Sequence, residues 1–157
     1  MRHIPGLLLI LGTTLSGCVM TTGPKAAVET AVSPQMQLLS DVNAARTKVG
    51  ATPLQTSAAL QTAAGAHAKD MAGQNRAWHF GTDGSSPLDR ARAAGFAGAL
   101  VGEAISESTT DVTTVMNGWM KTRDTRDILM DGAARQIGVG HYRDKRGRSW
   151  WVVLTGR

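Results

Sequence analysis

Trp150-Trp151-Val152-Val153-Leu154 is an unbroken apolar run close to the C-terminus. A run of that length without alternation suits a central strand buried on both faces. It therefore demands a layer of structure on each side of a sheet. Gln136 to Tyr142 alternates around Ile137 and Val139, and Asp144 to Arg148, with Gly147, reads as the turn between these last two strands. Leu100 to Ile105 supplies another short apolar strand. Helical periods occupy the rest, so helices come first and a small, largely antiparallel sheet follows with a helix inserted. That order is α+β, not a βαβ wind. The 157 residues suffice for one domain with a proper core. Aromatics make up only 4%, so Leu, Val, Ile, Met and Ala must fill most of that core.

The helices announce their starts. Ser33 followed by Pro34 is an N-cap with proline at the first helical position. Met36, Leu39, Val42 and Arg46 then share a face, with Leu38 and Ala45 beside it, and Gly50 ends the helix. A second helix runs from about Ser57, with Leu60, Ala64, His67 and Met71 at helical spacing. Ser86-Pro87-Leu88-Asp89 resembles a capping box for a short third helix closed by Gly95. Ser108 to Asp111 is another such start, before the apolar stripe of Val112, Val115, Met116 and Trp119.

The N-terminus reads as a targeting segment. Arg2 and His3 precede an apolar stretch, Ile4 to Leu11, too short to span a bilayer and interrupted by Pro5 and Gly6. Leu15-Ser16-Gly17-Cys18 follows and resembles a bacterial lipobox, in which the cysteine is lipidated and becomes the mature N-terminus. An ordinary signal peptide with an incidental cysteine is the alternative. Residues 1–17 are thus expected to be a lipoprotein signal peptide, 18–33 a lipidated Cys18 with a flexible tether, and 34–157 the folded domain. Two or more acyl chains make a stable anchor where one does not. Cys18 is the sole cysteine, so no intramolecular disulfide forms. The expected site is the bacterial cell envelope, outside the cytoplasm.

A formal charge of +5 and a pI near 10 favour anionic surroundings. Arg143, Lys145, Arg146 and Arg148 bracket the last turn, and no nucleic-acid motif accompanies them. They read as a solvated turn or a contact to anionic envelope lipid or glycan. No nucleic-acid partner is expected, and the sequence does not fix the oligomeric state.

Two residues stand out chemically. His79 lies outside the apolar stripes, in a turn-rich segment ending at Asp83-Gly84, free to line a cleft or to bond its own loop. Glu103 sits within apolar Val101 to Ile105, where a carboxylate must be paired or ligated, for instance with an arginine. His67 falls on an apolar helix face and reads more simply as a satisfied core residue. A Ser-His-Asp set from Ser85 or Ser86, His79 and Asp83 lacks a nucleophile-elbow pattern, and Ser86 is better explained as a helix cap.

Four motifs in fixed order complete the reading. They are Ala66-His67-Ala68-Lys69-Asp70-Met71-Ala72, His79 to Pro87, Gly102-Glu103-Ala104-Ile105, and Trp119-Met120 through Arg126 to Ile137-Gly138-Val139-Gly140. Together, from about Leu38 to Thr155, they resemble the CAP superfamily (cysteine-rich secretory, antigen-five, pathogenesis-related) in its cysteine-poor bacterial form. The resemblance implies a three-layer α-β-α sandwich in which His79 and Glu103 face a central cavity. It also marks departures. Thr125 stands where the family carries the His of GHR, followed by the expected Arg126, and Ala104 stands where Asn is usual. A zinc site needs about three protein ligands. With Thr125 in place, only His79 and Glu103 remain as weak donors, so no tightly held metal and no cofactor are expected. Arg126 reads equally as an anion contact or as a surface partner of Asp124 or Asp127. Functionally, a binding module is favoured, with a cleft near His79, Glu103, Thr125 and Arg126 for a small lipidic or glycan ligand. A hydrolase using Glu103 as base and His79 as acid is the alternative, and a structural envelope protein with a vestigial cleft is the third reading.

Overall fold

The computed structural model describes residues 32–109 and 111–157, with Met1. Residues 2–31, on which the expected signal segment, lipidated Cys18 and most of the expected tether fall, lie outside the described residues. Every element belongs to one compact unit, Ala31–Arg157.

Five helices and four strands follow in the order α1 (Pro34–Lys48), β1 (Gln55–Thr56), α2 (Ala58–Gln74), α3 (Pro87–Ala93), β2 (Leu100–Ser108), α4 (Val112–Lys121), α5 (Arg123–Met130), β3 (Gln136–Arg143) and β4 (Ser149–Gly156). The sheet order is β1-β3-β4-β2. β4 is central and antiparallel to both neighbours, with Val153 opposite Ala104 on one side and Val139 on the other. The two-residue β1, absent from the sequence reading, pairs parallel to β3. All eight residues of β4 are buried, as the apolar run demands.

Alternation along β4 feeds two cores. Trp150, Val152 and Leu154 pack with Leu60, Ala64, Ala68 and Met71 of α2 and Ala91 of α3. Trp151 and Val153 pack on the other face with Leu38 and Val42 of α1, Val115 and Trp119 of α4 and Leu129 of α5. This is the expected three-layer α-β-α sandwich. Gly147, at φ +82°, closes the hairpin between β3 and β4, a conformation that a residue with a Cβ adopts at a cost.

α1 differs from its expected face. Leu38, Val42 and Arg46 are the buried series, and Met36 is exposed. Val42 and Arg46 keep their expected place, and Leu38 takes the position expected of Met36; Arg46 is held inside by backbone carbonyls. Its Nε donates to Thr52 O at 2.8 Å and its Nη1 to Leu129 O at 2.8 Å and Asp131 O at 3.0 Å. The start expected at Ser108 to Asp111 resolves to Asp111, whose carboxylate accepts from Thr114 N at 2.9 Å. α5 is a helix the sequence reading did not foresee.

Candidate functional site

α2 is the platform of the site. It ends at Asn75, in the left-handed conformation at φ 54°, and the chain then folds back as a loop along the helix. Three α2 side chains strap that loop down. His67 Nε2–H donates to Trp78 O at 2.8 Å, Gln74 Nε2 donates to Phe80 O at 3.1 Å, and Asp70 accepts from Thr82 N at 3.0 Å and Thr82 Oγ1 at 2.8 Å. The straps place His79 against β2. Its Nδ1–H donates to Glu103 Oε1 at 2.8 Å.

The second Glu103 oxygen belongs to α3. Ser86 caps that helix reciprocally with Asp89, and one turn later Arg90 Nη2 donates to Glu103 Oε2 at 2.7 Å while Nη1 donates to Ser85 O at 2.8 Å. The Glu103 side chain is 1% exposed and that of His79 is 49% exposed. A carboxylate so deeply buried needs both partners to offset its lost hydration. Glu103 is thus in an ion pair with an arginine, one of the two roles its sequence context allowed, and it also holds His79.

His67 lies 4.0 Å from Glu103 Oε1 through Nε2, and that hydrogen already goes to Trp78 O. Its Nδ1 is buried and has no hydrogen-bond partner among the described residues. Burial holds the His67 imidazole below its ordinary range, against the pull of Glu103 and with a further push from Arg90. Asp70 is buried enough to be raised, yet the bonds from Thr82 and Gln74 hold its carboxyl below the usual range.

A cavity of about 370 Å³ opens between α2, α3 and the loop. Ala63, Ala66, Ala93 and Ala94 give it an apolar wall, and Asp70, Thr82, Asp83, Ser85, His67 and Arg90 supply polar atoms. Arg90 is the link between this cavity and Glu103. The structure therefore brings His79 and Glu103 together, but the adjoining space is bounded by His67 and Arg90.

Thr125 and Arg126 lie elsewhere. Thr125 Oγ1 donates to Trp119 O at 2.7 Å, and its side chain borders a separate hollow with Ile105, Ser106 and Glu107. Arg126 Nε is 3.7 Å from Asp127 Oδ1 at the surface, the pairing its neighbours suggested. Neither bonds His79 or Glu103 among the described residues. Ser86 Oγ is committed to Asp89 at 2.6 Å, so the Ser-His-Asp arrangement does not assemble there. Among the described residues no group of three or more His, Cys, Asp or Glu is placed to hold a metal ion. Sequence reading missed Asp70 and Arg90. The i, i+3 spacing of His67 and Asp70 was the available signal for the first, and Arg90, one turn past the Ser86 cap, for the second.

Three solved structures share the architecture. An outer surface protein of Borrelia burgdorferi matches with a TM-score of 0.73 at 19% identity, over 79% of this chain and 92% of that one. An extracellular protein containing an SCP domain from Bacillus anthracis matches with a TM-score of 0.73 at 22% identity, over 79% of this chain and 40% of that one. A cysteine-rich secretory protein of Staphylococcus aureus matches with a TM-score of 0.62 at 18% identity, over 83% and 40% respectively. At these identities the likeness is one of fold. No curated protein sequence matches the chain significantly. The cysteine-rich secretory protein (CAP) family model matches residues 39–155, a span that contains the whole group of His67, Asp70, His79, Arg90 and Glu103. The chain belongs to the CAP family.

Proposed function

We propose that this CAP domain is an extracytoplasmic binding module of the bacterial cell envelope, held to a membrane by lipid on Cys18. Its ligand is a small, hydroxyl-bearing molecule of the envelope glycan kind. One observation carries the reading: both oxygens of Glu103 are already taken, by Arg90 and His79, beside an open cavity with an alanine wall and a polar rim. A carboxylate fixed in this way organises a site and is a poor free base. Alanine methyls against one face and carboxylates, hydroxyls and a guanidinium around it suit a ring carrying hydroxyl groups. The lipobox-like Leu15 to Cys18, and relatives described as an outer surface protein and an extracellular protein, support the location.

The experiment is an NMR titration of the protein with the N-acetylglucosamine–N-acetylmuramic acid disaccharide. Methyl shifts at Ala63, Ala66, Ala93 and Ala94, abolished in Ala66→Leu, support the reading; an unperturbed cavity with shifts elsewhere sinks it. Mass spectrometry of membrane-extracted protein tests the anchor. Acylated Cys18, with release of Cys18→Ala from the membrane, is expected, and a soluble mature form cut elsewhere refutes it.

The hydrolase reading retains one favourable observation. Glu103 fixes His79 through Nδ1, which leaves Nε2 of a half-exposed imidazole as the proton acceptor. In that reading Glu103 orients and His79 is the base, the reverse of the roles expected from sequence. Release of products from the disaccharide, lost in His79→Ala with the fold intact, would establish it.

A further inference from the structure

The strap that fixes the site loop leaves its aromatic side chains outside. Trp78 is 40% exposed and Phe80 46% exposed, with ring centroids 5.7 Å apart. The Arg76 guanidinium lies 4.0 Å over the Trp78 ring. Their backbone is held by His67 and Gln74, so this display is built and is no consequence of a loose loop. Large, half-exposed aromatics in a fixed loop mark an interaction surface.

The same end of the molecule is basic. The end of α2 and the β3–β4 hairpin share a hollow to which Lys69, Asn75, Lys145 and Arg146 contribute. Arg148 ties the two parts together, donating to the Asn75 side chain and pairing with Asp144 and Glu107. Lys69, Arg76, Lys145 and Arg146 are exposed and form no ion pair among the described residues. Beyond Phe80 the chain turns acidic at Asp83 and Asp89, which sets the limit of this surface.

We infer that Trp78 and Phe80, with Arg76, Lys69, Lys145 and Arg146, form a docking surface for an anionic lipid bilayer. Aromatic rings settle at headgroup depth, and basic residues beside them bind lipid phosphates through charge. Charge complementarity favours a bilayer over a protein groove: Arg76 lies over the Trp78 ring, and exposed Lys69, Lys145 and Arg146 border the hollow at Asn75, the residue before Arg76, on a chain of net charge +5. Chain length agrees. The inference draws on the membrane-anchored reading, and the segment 18–33 spans at most about 58 Å when extended, which keeps the domain within reach of its own membrane. Docking would bring half-exposed His79, between the two aromatics, to the lipid–water boundary.

The test adds the full chain to vesicles of phosphatidylglycerol and phosphatidylcholine whose acyl chains carry bromine near the headgroup, and reads tryptophan emission. Trp119, Trp150 and Trp151 are buried, so the component removed by Trp78→Phe reports the loop. Bromine should quench that component on anionic vesicles and spare it on pure phosphatidylcholine. Lys145→Glu with Arg146→Glu should weaken docking at least about thirtyfold, since each basic residue is worth about 1 kcal/mol at an anionic surface. Phe80→Ser should weaken it with the fold unchanged by circular dichroism. Trp78 left unquenched on anionic vesicles, or quenched equally on neutral ones, overturns the inference. So does a soluble envelope glycan that shields Trp78 from aqueous quencher where the lipid does not. The anchor is judged separately: quenched Trp78 with an unacylated Cys18 refutes the anchor alone, and acylated Cys18 with unquenched Trp78 refutes the docking alone.

Discussion

The two faces of the sheet solve the burial problem in different ways. On one face α1, α4 and α5 meet the strands through bulky side chains, and the buried charge there, Arg46, is satisfied by backbone carbonyls. On the other face α2 sits almost on the backbone of β3. A Cβ on Gly138 would lie 2.1 Å from Leu60 C, and one on Gly140 would lie 2.1 Å from Ala64 O. Close approach lets Gln61 bond the Val139 backbone directly, closing the strand where β1 stops. It also sets the α2 residues His67 and Asp70 beside the loop and Glu103. The tightly packed face is the one that carries the candidate site, and the bulky face is scaffold.

The largest expected effect breaks that close approach. Gly138→Ala with Gly140→Ala forces two methyls into α2 backbone, which cannot yield as a side chain would. Overpacking of flexible groups costs about 1–3 kcal/mol, and two rigid clashes should exceed that. The double variant should fail to melt cooperatively, whereas Gly118→Ala, where nothing lies within 4 Å, should melt like the parent. A stable double variant would mean α2 can slide off the sheet.

The buried charges come next. Arg46→Leu strands the carbonyls of Thr52, Leu129 and Asp131, at about 1–3 kcal/mol for each buried group left unpaired. Glu103→Leu leaves Arg90 nearly buried and uncompensated, for a loss of about 3 kcal/mol. Denaturant melts should rank Arg46→Leu at or above Glu103→Leu. Of the two variants only Glu103→Leu should shift the amide resonances of Trp78 to Thr82, because Glu103 bonds the loop at His79 and Arg46 does not touch it. Equal shifts from both would erase the division between scaffold and site.

This division was partly legible in the sequence. The central strand was plain because five apolar residues in a row have no exposed face. Three helix starts were plain because Ser33, Ser57 and Ser86 are capping residues before good helical periods. α5 was not, since Thr122 makes no side-chain cap bond and Leu129 is the helix's one buried residue. Phase in α1 was misread at its start: Val42 and Arg46 lie on the expected face, but Leu38, one turn before Val42, is buried where Met36 was expected, and Met36 is exposed. His79 and Glu103 were visible as a histidine outside the apolar pattern and a carboxylate inside it. Arg90 and Asp70 were not, because the choice of partner is made by tertiary placement.

A smaller effect separates the faces by pH. Burial holds His67 below its ordinary range, and burial with Arg143 does the same to His141, so each resists protonation in the fold. An unfolded histidine titrates near 6.5 and takes up protons that the native one refuses. The stability this represents is complete above about pH 6.5 and is lost as pH falls from there toward each histidine's lowered native range, by at most about 1.4 kcal/mol per pH unit for each group. Asp70, also lowered, adds its own loss only near and below pH 4. Midpoints between pH 8 and 5 should fall in the parent, less steeply in His67→Gln, and as in the parent in Arg46→Leu. A parent curve flat over that interval would show that the folded chain takes up protons as readily as the unfolded one, and would overturn the lowered range of His67.

The smallest effect on stability is the sharpest test of how the two faces meet. Two donors, His79 and Glu103, fall short of the three a zinc site needs, and both oxygens of Glu103 are occupied. Calorimetry on the unmodified protein should show no tight zinc binding; submicromolar binding that vanishes in His79→Ala would overturn that. β2 is an edge strand, so side chains from both sides of the sheet can converge around it. Thr125, on α5, borders a hollow with Ile105, which is two residues from Glu103 on β2 and about 7 Å along the strand. A histidine at position 125 is longer than threonine and carries a nitrogen donor. Thr125→His should therefore raise zinc affinity, at the expense of the bond to Trp119 O, worth about 1 kcal/mol. An intact fold with no change in zinc binding would show that α5 keeps residue 125 away from Glu103 and that the site belongs wholly to the α2 face.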